Sequence, residues 1–89
     1  MITMKEKKKD YIKVISETKN ITAAAKEIGI SQPALSAYLK KKEDGLGVKL
    51  FDRSRIPIKL TESGKAYIKY LDGESKLFSK FLKEIESVK

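Results

Sequence analysis

Residues 20–64 read NITAAAKEIGISQPALSAYLKKKEDGLGVKLFDRSRIPIKLTESG and make up half of an 89-residue chain. The spacing predicts a short helix over 21–28, stopped by Gly29, the usual residue for a left-handed cap. Asn20 or Thr22 caps its start, because a side-chain oxygen can accept a free first-turn N–H. Ile30 then plugs the core and Ser31 caps the next helix, where Pro33 is tolerated because first-turn N–H groups have no helical partner. That helix is expected to run to about Asp44 and to end at Gly45.

Leu50-Phe51 and Ile58-Lys59-Leu60 read as two short strands, with Ser54 to Pro57 at the hairpin tip. Ile58 and Leu60 share one face and Lys59 the other. Thr61 opens a final helix with TESG. Upstream, Lys5 to about Thr18 reads as a first helix carrying Tyr11, Ile12, Val14 and Ile15. The expected fold is mainly α: a winged helix-turn-helix of three helices and a two-stranded β wing over 50–60, followed by a long C-terminal dimerisation helix. The expected division is 1–64 for the winged unit and 65–89 for the linker and dimerisation helix.

Composition narrows the function. A chain this short has no room for a deep substrate cavity, so neither an enzyme nor a small-molecule pocket is expected. It holds no Cys and no His, which excludes thiolate nucleophiles, Cys/His zinc sites and imidazole bases. No cofactor or metal is expected. No apolar run has the length of a membrane span, and a cytoplasmic protein is the expectation. Twenty Lys+Arg against 12 Asp+Glu give +8, which points to an anionic partner, nucleic acid first. The excess is spread along the chain, and the Lys5–Lys9 cluster reads as a solvated helix face rather than a phosphate-contacting arm.

Within the helix-turn-helix, Ala24, Ala25, Ile28, Ile30, Leu35 and Leu39 form the core face. The same spacing sends Gln32, Ser36 and Lys40 outward along one ridge, with Pro33, Ala37 and Lys41 beside it. Gln can pair bidentately with adenine, Ser can donate or accept, and an Ala methyl can meet the thymine methyl. Taken alone, Gln32 or Ser36 is an ordinary solvent-facing side chain. The ordered pattern around them favours double-stranded DNA as the partner, with the helix over 31–44 in the major groove and the wing at the minor groove.

The segments SQPALS at 31–36, Glu43, LG at 46–47, LF at 50–51, Arg53 and LTESG at 60–64 resemble the LysR-type transcriptional regulators. The resemblance covers the winged helix-turn-helix and reaches into the following helix. It implies a dimeric bacterial or archaeal regulator that binds an interrupted dyad near promoters. It places Gln32, Pro33, Ser36 and Ala37 on the major-groove face; by position alone, Ser31 stands at the start of that helix and Lys40 and Lys41 lie further along, where phosphates are expected. It matches Thr22 to a hydroxyl that contacts phosphate. The wing reads RSRIPI, a departure that makes Arg55 the candidate for a narrow minor groove, while Arg53 either contacts DNA or pairs with a carboxylate such as Glu43. Lys42 stands where the family usually has Leu, so its stem is expected to cover the core while its amine reaches solvent.

In the last helix Tyr67, Leu71, Glu74, Phe78, Phe81, Ile85 and Val88 alternate steps of four and three, a heptad seam interrupted at Glu74. A domain this small cannot cover so long a stripe, and exposed apolar stripes mark interfaces. The family uses this helix to dimerise, which makes Tyr67, Leu71, Phe78, Phe81, Ile85 and Val88 the expected homodimer contacts, with Gly73 a kink. Family members carry an effector-sensing domain beyond this helix, so the sequence fits either a fragment or a short regulator. Two other readings compete with sequence-specific binding: an interaction module that heterodimerises with a longer regulator, and a nonspecific DNA-binding protein.

Overall fold

A computed structural model describes residues 10–88. The described residues form helices α1 (Tyr11–Thr18), α2 (Ile21–Ile28), α3 (Gln32–Leu46) and α4 (Glu62–Ser87), with strands β1 (Phe51–Asp52) and β2 (Lys59–Leu60) between α3 and α4. The strands pair antiparallel, Phe51 opposite Leu60 and Asp52 opposite Lys59. This is the winged helix-turn-helix expected from the sequence, with the long fourth helix behind it.

Four caps set the helix starts. Asp10, Asn20, Ser31 and Thr61 are extended, and each accepts a first-turn N–H with its side-chain oxygen, which satisfies donors that a helix leaves unpaired. The first helix therefore starts at Tyr11 and not at Lys5, because Asp10 has left helical geometry (φ −64°, ψ 135°) to act as its cap. The Lys5–Lys9 cluster lies outside the described residues. Asn20, not Thr22, caps α2, at 2.9 Å from the Ala23 nitrogen.

Two boundaries differ from expectation for a physical reason. α3 passes through Gly45 and stops at Gly47, which takes the left-handed conformation (φ 75°) and sends its N–H to the Glu43 carbonyl at 2.8 Å. Either glycine could have ended the helix; the later stop keeps Glu43 inside it. The strands are shifted as well. Leu50 donates its N–H to the Glu43 carboxylate, and its carbonyl accepts from Thr61 N at 3.0 Å. Ile58 N–H goes to the Lys19 carbonyl at 3.2 Å. Ile58 is thereby drawn out of the ladder, and Leu50, its N–H taken by Glu43, keeps only the carbonyl bond of a ladder pair with Thr61.

The core joins Ile12, Val14 and Ile15 of α1, Ala24 and Ala25 of α2, Leu35 and Leu39 of α3, and Leu50, Phe51 and Ile58 around the wing. The small Ala24 and Ala25 let α2 cross its neighbours closely. Ile28 and Ile30 pack at the edge, half-buried. α4 is tied on at its first turn: Thr61 Oγ1 donates to the Lys49 carbonyl at 2.5 Å, and buried Gly64 lies against the Leu50 backbone.

Candidate nucleic-acid interface

The buried ridge of α3 runs Leu35, Leu39, Glu43, one residue every four. Its opposite face is thereby turned to solvent. Pro33, Ala37, Lys40 and Lys41 are exposed there; Gln32, three residues before Leu35, is exposed because it stands on the first turn of the helix, and Ser36 is half-buried beside the ridge. Gln32 and Ser36 are joined, Nε2 donating to Oγ at 3.0 Å. Lys40 reaches Asp44 Oδ2 at 3.5 Å, an exposed i,i+4 pair of the kind worth little in water. Its ammonium is therefore readily available to another anion. Ser31 is exposed, with its hydroxyl accepting Ala34 N–H at 3.2 Å. Thr22 is exposed on the first turn of α2.

Glu43 is the unexpected member of α3. It is buried to 2% exposure, and its Oε2 accepts Leu50 N–H at 2.7 Å and Phe51 N–H at 3.4 Å. The other oxygen lies 3.8 Å from Arg53 Nη2 and 4.0 Å from Lys49 Nζ. A carboxylate so buried needs such partners. Arg53 thus stands at the base of the wing beside Glu43, as one of its two expected roles required, with its side chain 38% exposed. The sequence signal for Glu43 was its place four residues after Leu39, on the buried ridge; its function as the acceptor that starts β1 was not visible there.

At the wing, Arg55 is exposed. Asp52 shapes the turn before it, accepting from Ser54 N at 2.9 Å and Ser54 Oγ at 2.6 Å. These two bonds hold the Asp52 carboxyl below its usual pKa, and the charges of Arg55 and Lys59 act in the same direction.

Lys42 is half-buried between two rings, its Nζ 5.9 Å from the Tyr38 centroid and 5.8 Å from that of Tyr67. The stem covers the core as expected, and the amine is shared between aromatic faces. Tyr67 is the first residue of the expected seam. It packs on the core of its own chain and donates its hydroxyl to Asp10 Oδ2 at 3.4 Å. Burial first, then the charge of Asp10, pushes its pKa up to about 12.

Along the rest of α4, Leu71, Phe78 and Ile85 are half-buried, while Phe81 and Val88 are exposed. Tyr70 and Leu77 are also exposed, at 60% and 70%, and Leu82 is half-buried. By helical period Tyr70 and Leu77 flank the seam on one side and Leu82 on the other, which widens the stripe; their departure from the four-three step hid them. α4 continues unbroken through Gly73, so that glycine does not interrupt the helix. Among the described residues no helix is long and apolar enough to cross a membrane.

The arrangement has counterparts of known structure. Vibrio fischeri DarR in complex with DNA matches with a TM-score of 0.74 at 29% identity, over 88% of this chain and 27% of that one. The BenM DNA-binding domain in complex with benA site 1 DNA matches with a TM-score of 0.76 at 26% identity, over 88% of both chains. Among curated proteins, the Bacillus subtilis HTH-type transcriptional regulator YybE is 32% identical over 79 residues, 89% of this chain and 27% of its own length. The Pseudomonas putida regulator CatR is 46% identical over 57 residues, 64% of this chain. The chain spans about a quarter of the length of YybE and about a fifth of CatR. The family model of bacterial regulatory helix-turn-helix proteins of the lysR type matches residues 9–65, nearly the whole winged unit. This chain belongs to the lysR family of bacterial regulatory helix-turn-helix proteins.

Proposed function

We propose that this chain binds double-stranded DNA sequence-specifically, as a homodimer, to regulate transcription in the cytoplasm. The observation that carries the reading is the exposed row Gln32, Pro33, Ala37 and Lys40, with half-buried Ser36 among them, backed by the buried ridge of α3. Small and polar side chains on that face let the helix enter the major groove, and their donors and acceptors suit base edges. Ser31 and Thr22 lie at the starts of α3 and α2, where helix N-termini favour phosphate. Arg55 reaches for the minor groove, and Arg53 serves mainly to neutralise Glu43. Residues 1–64 form the DNA-binding unit and 65–89 the dimerisation helix, through Tyr67, Leu71, Phe78, Phe81, Ile85 and Val88. The chain acts as a binding protein and not as an enzyme, without cofactor or metal.

Selection of bound sequences from random duplex DNA tests this, at fixed moderate salt because nonspecific affinity is salt-dependent. An enriched interrupted palindrome is the expected result. Binding without enrichment would mean a nonspecific DNA-binding protein. No binding, together with pairing to a longer relative, would mean an interaction module.

A further inference from the structure

Resting on that reading, we propose that Ser36 is a positioning residue, which fixes the roll of the Gln32 amide so that residue 32 reads adenine. Ser36 follows Gln32 by one helical turn, where i,i+4 side chains meet, and its hydroxyl accepts from Gln32 Nε2 at 3.0 Å. An amide nitrogen carries two N–H donors and the amide oxygen accepts. The bond to Ser36 uses one donor. It leaves the second N–H beside Oε1, the pair that adenine N7 and N6–H2 require in the major groove.

Burial separates the two roles. Gln32 is exposed on the first turn of α3, while Ser36 is half-buried one turn further along. The N-terminal residues of such a helix are the ones that reach base edges. A Gln side chain free in solution must be ordered on binding and can present its amide either way round. Held by Ser36, it arrives with that ordering already done, and preorganisation favours the matching base over others. Ser36 then acts through Gln32 instead of reading a base pair of its own.

The test is a double-mutant cycle on the site that the wild-type chain selects, with affinity measured for that site and for each single-base-pair replacement. Gln32→Ala identifies its base pair, where discrimination falls roughly 5- to 150-fold. Ser36→Ala is expected to weaken discrimination at that same base pair and to leave the others unchanged. Ser36→Thr, which keeps the hydroxyl, restores it. In the double variant the Ser36 effect disappears, a coupling of roughly twofold or more. Loss at a different base pair, effects that multiply independently, or no effect of Ser36→Ala would overturn the inference while leaving DNA reading intact. A wild-type chain that enriches no sequence would instead overturn the reading beneath it, and the inference with it.

Discussion

Glu43 Oε2 lies 2.7 Å from the backbone nitrogen of Leu50, so one buried carboxylate on α3 fixes where the wing begins. The bond is charge-assisted, and both partners are shielded from water. Removing the acceptor strands the N–H groups of Leu50 and Phe51. Glu43→Ala should therefore lower stability by about 1–3 kcal/mol, read as a lower urea midpoint at unchanged slope. Glu43→Gln retains an acceptor oxygen and should lose less. Equal losses in the two variants would remove the acceptor role.

The two wing arginines should separate by what they affect. Arg53 lies 3.8 Å from the buried Glu43 carboxylate, whereas Arg55 stands exposed in the wing. Arg55→Ala is expected to reduce the salt slope of DNA binding by about one and leave the urea midpoint unchanged. Arg53→Ala should lower the midpoint and change the slope less. The reverse pattern would exchange their roles.

Gly64 and Gly73 sit in the same helix yet should respond oppositely to alanine. A Cβ at Gly64 would run into the Leu50 carbonyl oxygen and lie 2.8 Å from Leu60 Cδ2, while at Gly73 it meets nothing within 4 Å. Backbone cannot give way as a flexible side chain can. Overpacking of about 1–3 kcal/mol outweighs the roughly 1 kcal/mol that alanine gains in helix propensity. Thermal unfolding should show Gly64→Ala below the wild type and Gly73→Ala above it. A rise for both would mean that the start of α4 is loosely packed.

Tyr67 makes stability depend on alkaline pH. Its pKa is pushed up to about 12 by burial and by Asp10, against a free phenol near 10. Between these values the unfolded chain has lost a proton that the folded chain keeps, so stability falls as pH rises. The contribution is whole below about 10 and is lost as pH passes about 12. Tyr67→Phe should flatten the decline of the urea midpoint across that window. A decline as steep as the wild type's would assign it to other groups.

Sequence reading located what depends on local chemistry. Asn20, Gly29, Ser31 and Thr61 mark their helix ends as their side chains and backbone freedom dictate, and Leu35 with Leu39 faces inward. It failed where a long-range partner decided the outcome. Nothing local distinguishes Gly45 from Gly47 as a stop. Glu43 belongs to the core through amides seven and eight residues away. The contacts of Tyr67 with Asp10 and the core of its own chain were likewise not legible from its heptad spacing. Of the interface row, the exposure of Ala37 was legible from period alone, whereas Gln32 shares the period of Leu35 and Leu39 and is exposed because it stands on the first turn of α3. The Gln32–Ser36 bond was not, since both residue types have other ways to satisfy themselves.

The stripe on α4 makes the last prediction. Phe81 is 51% exposed and Leu77 70%, with Phe78 half-buried between the helix and solvent. Fully burying a Phe or Leu side chain is worth about 1.5–3 kcal/mol, so several such residues meeting their copies outweigh a substantial part of the cost of association. Phe78→Ser with Phe81→Ser should convert a dimer to monomers in sedimentation equilibrium. Those changes lie far along α4 from the core residues of the winged unit, so its own unfolding should be little altered once compared as monomer. Binding to an isolated half-site should survive, while the advantage of the full palindrome should vanish, because that advantage comes from linking two sites. A double variant that keeps the dimer mass would place the interface elsewhere on the chain.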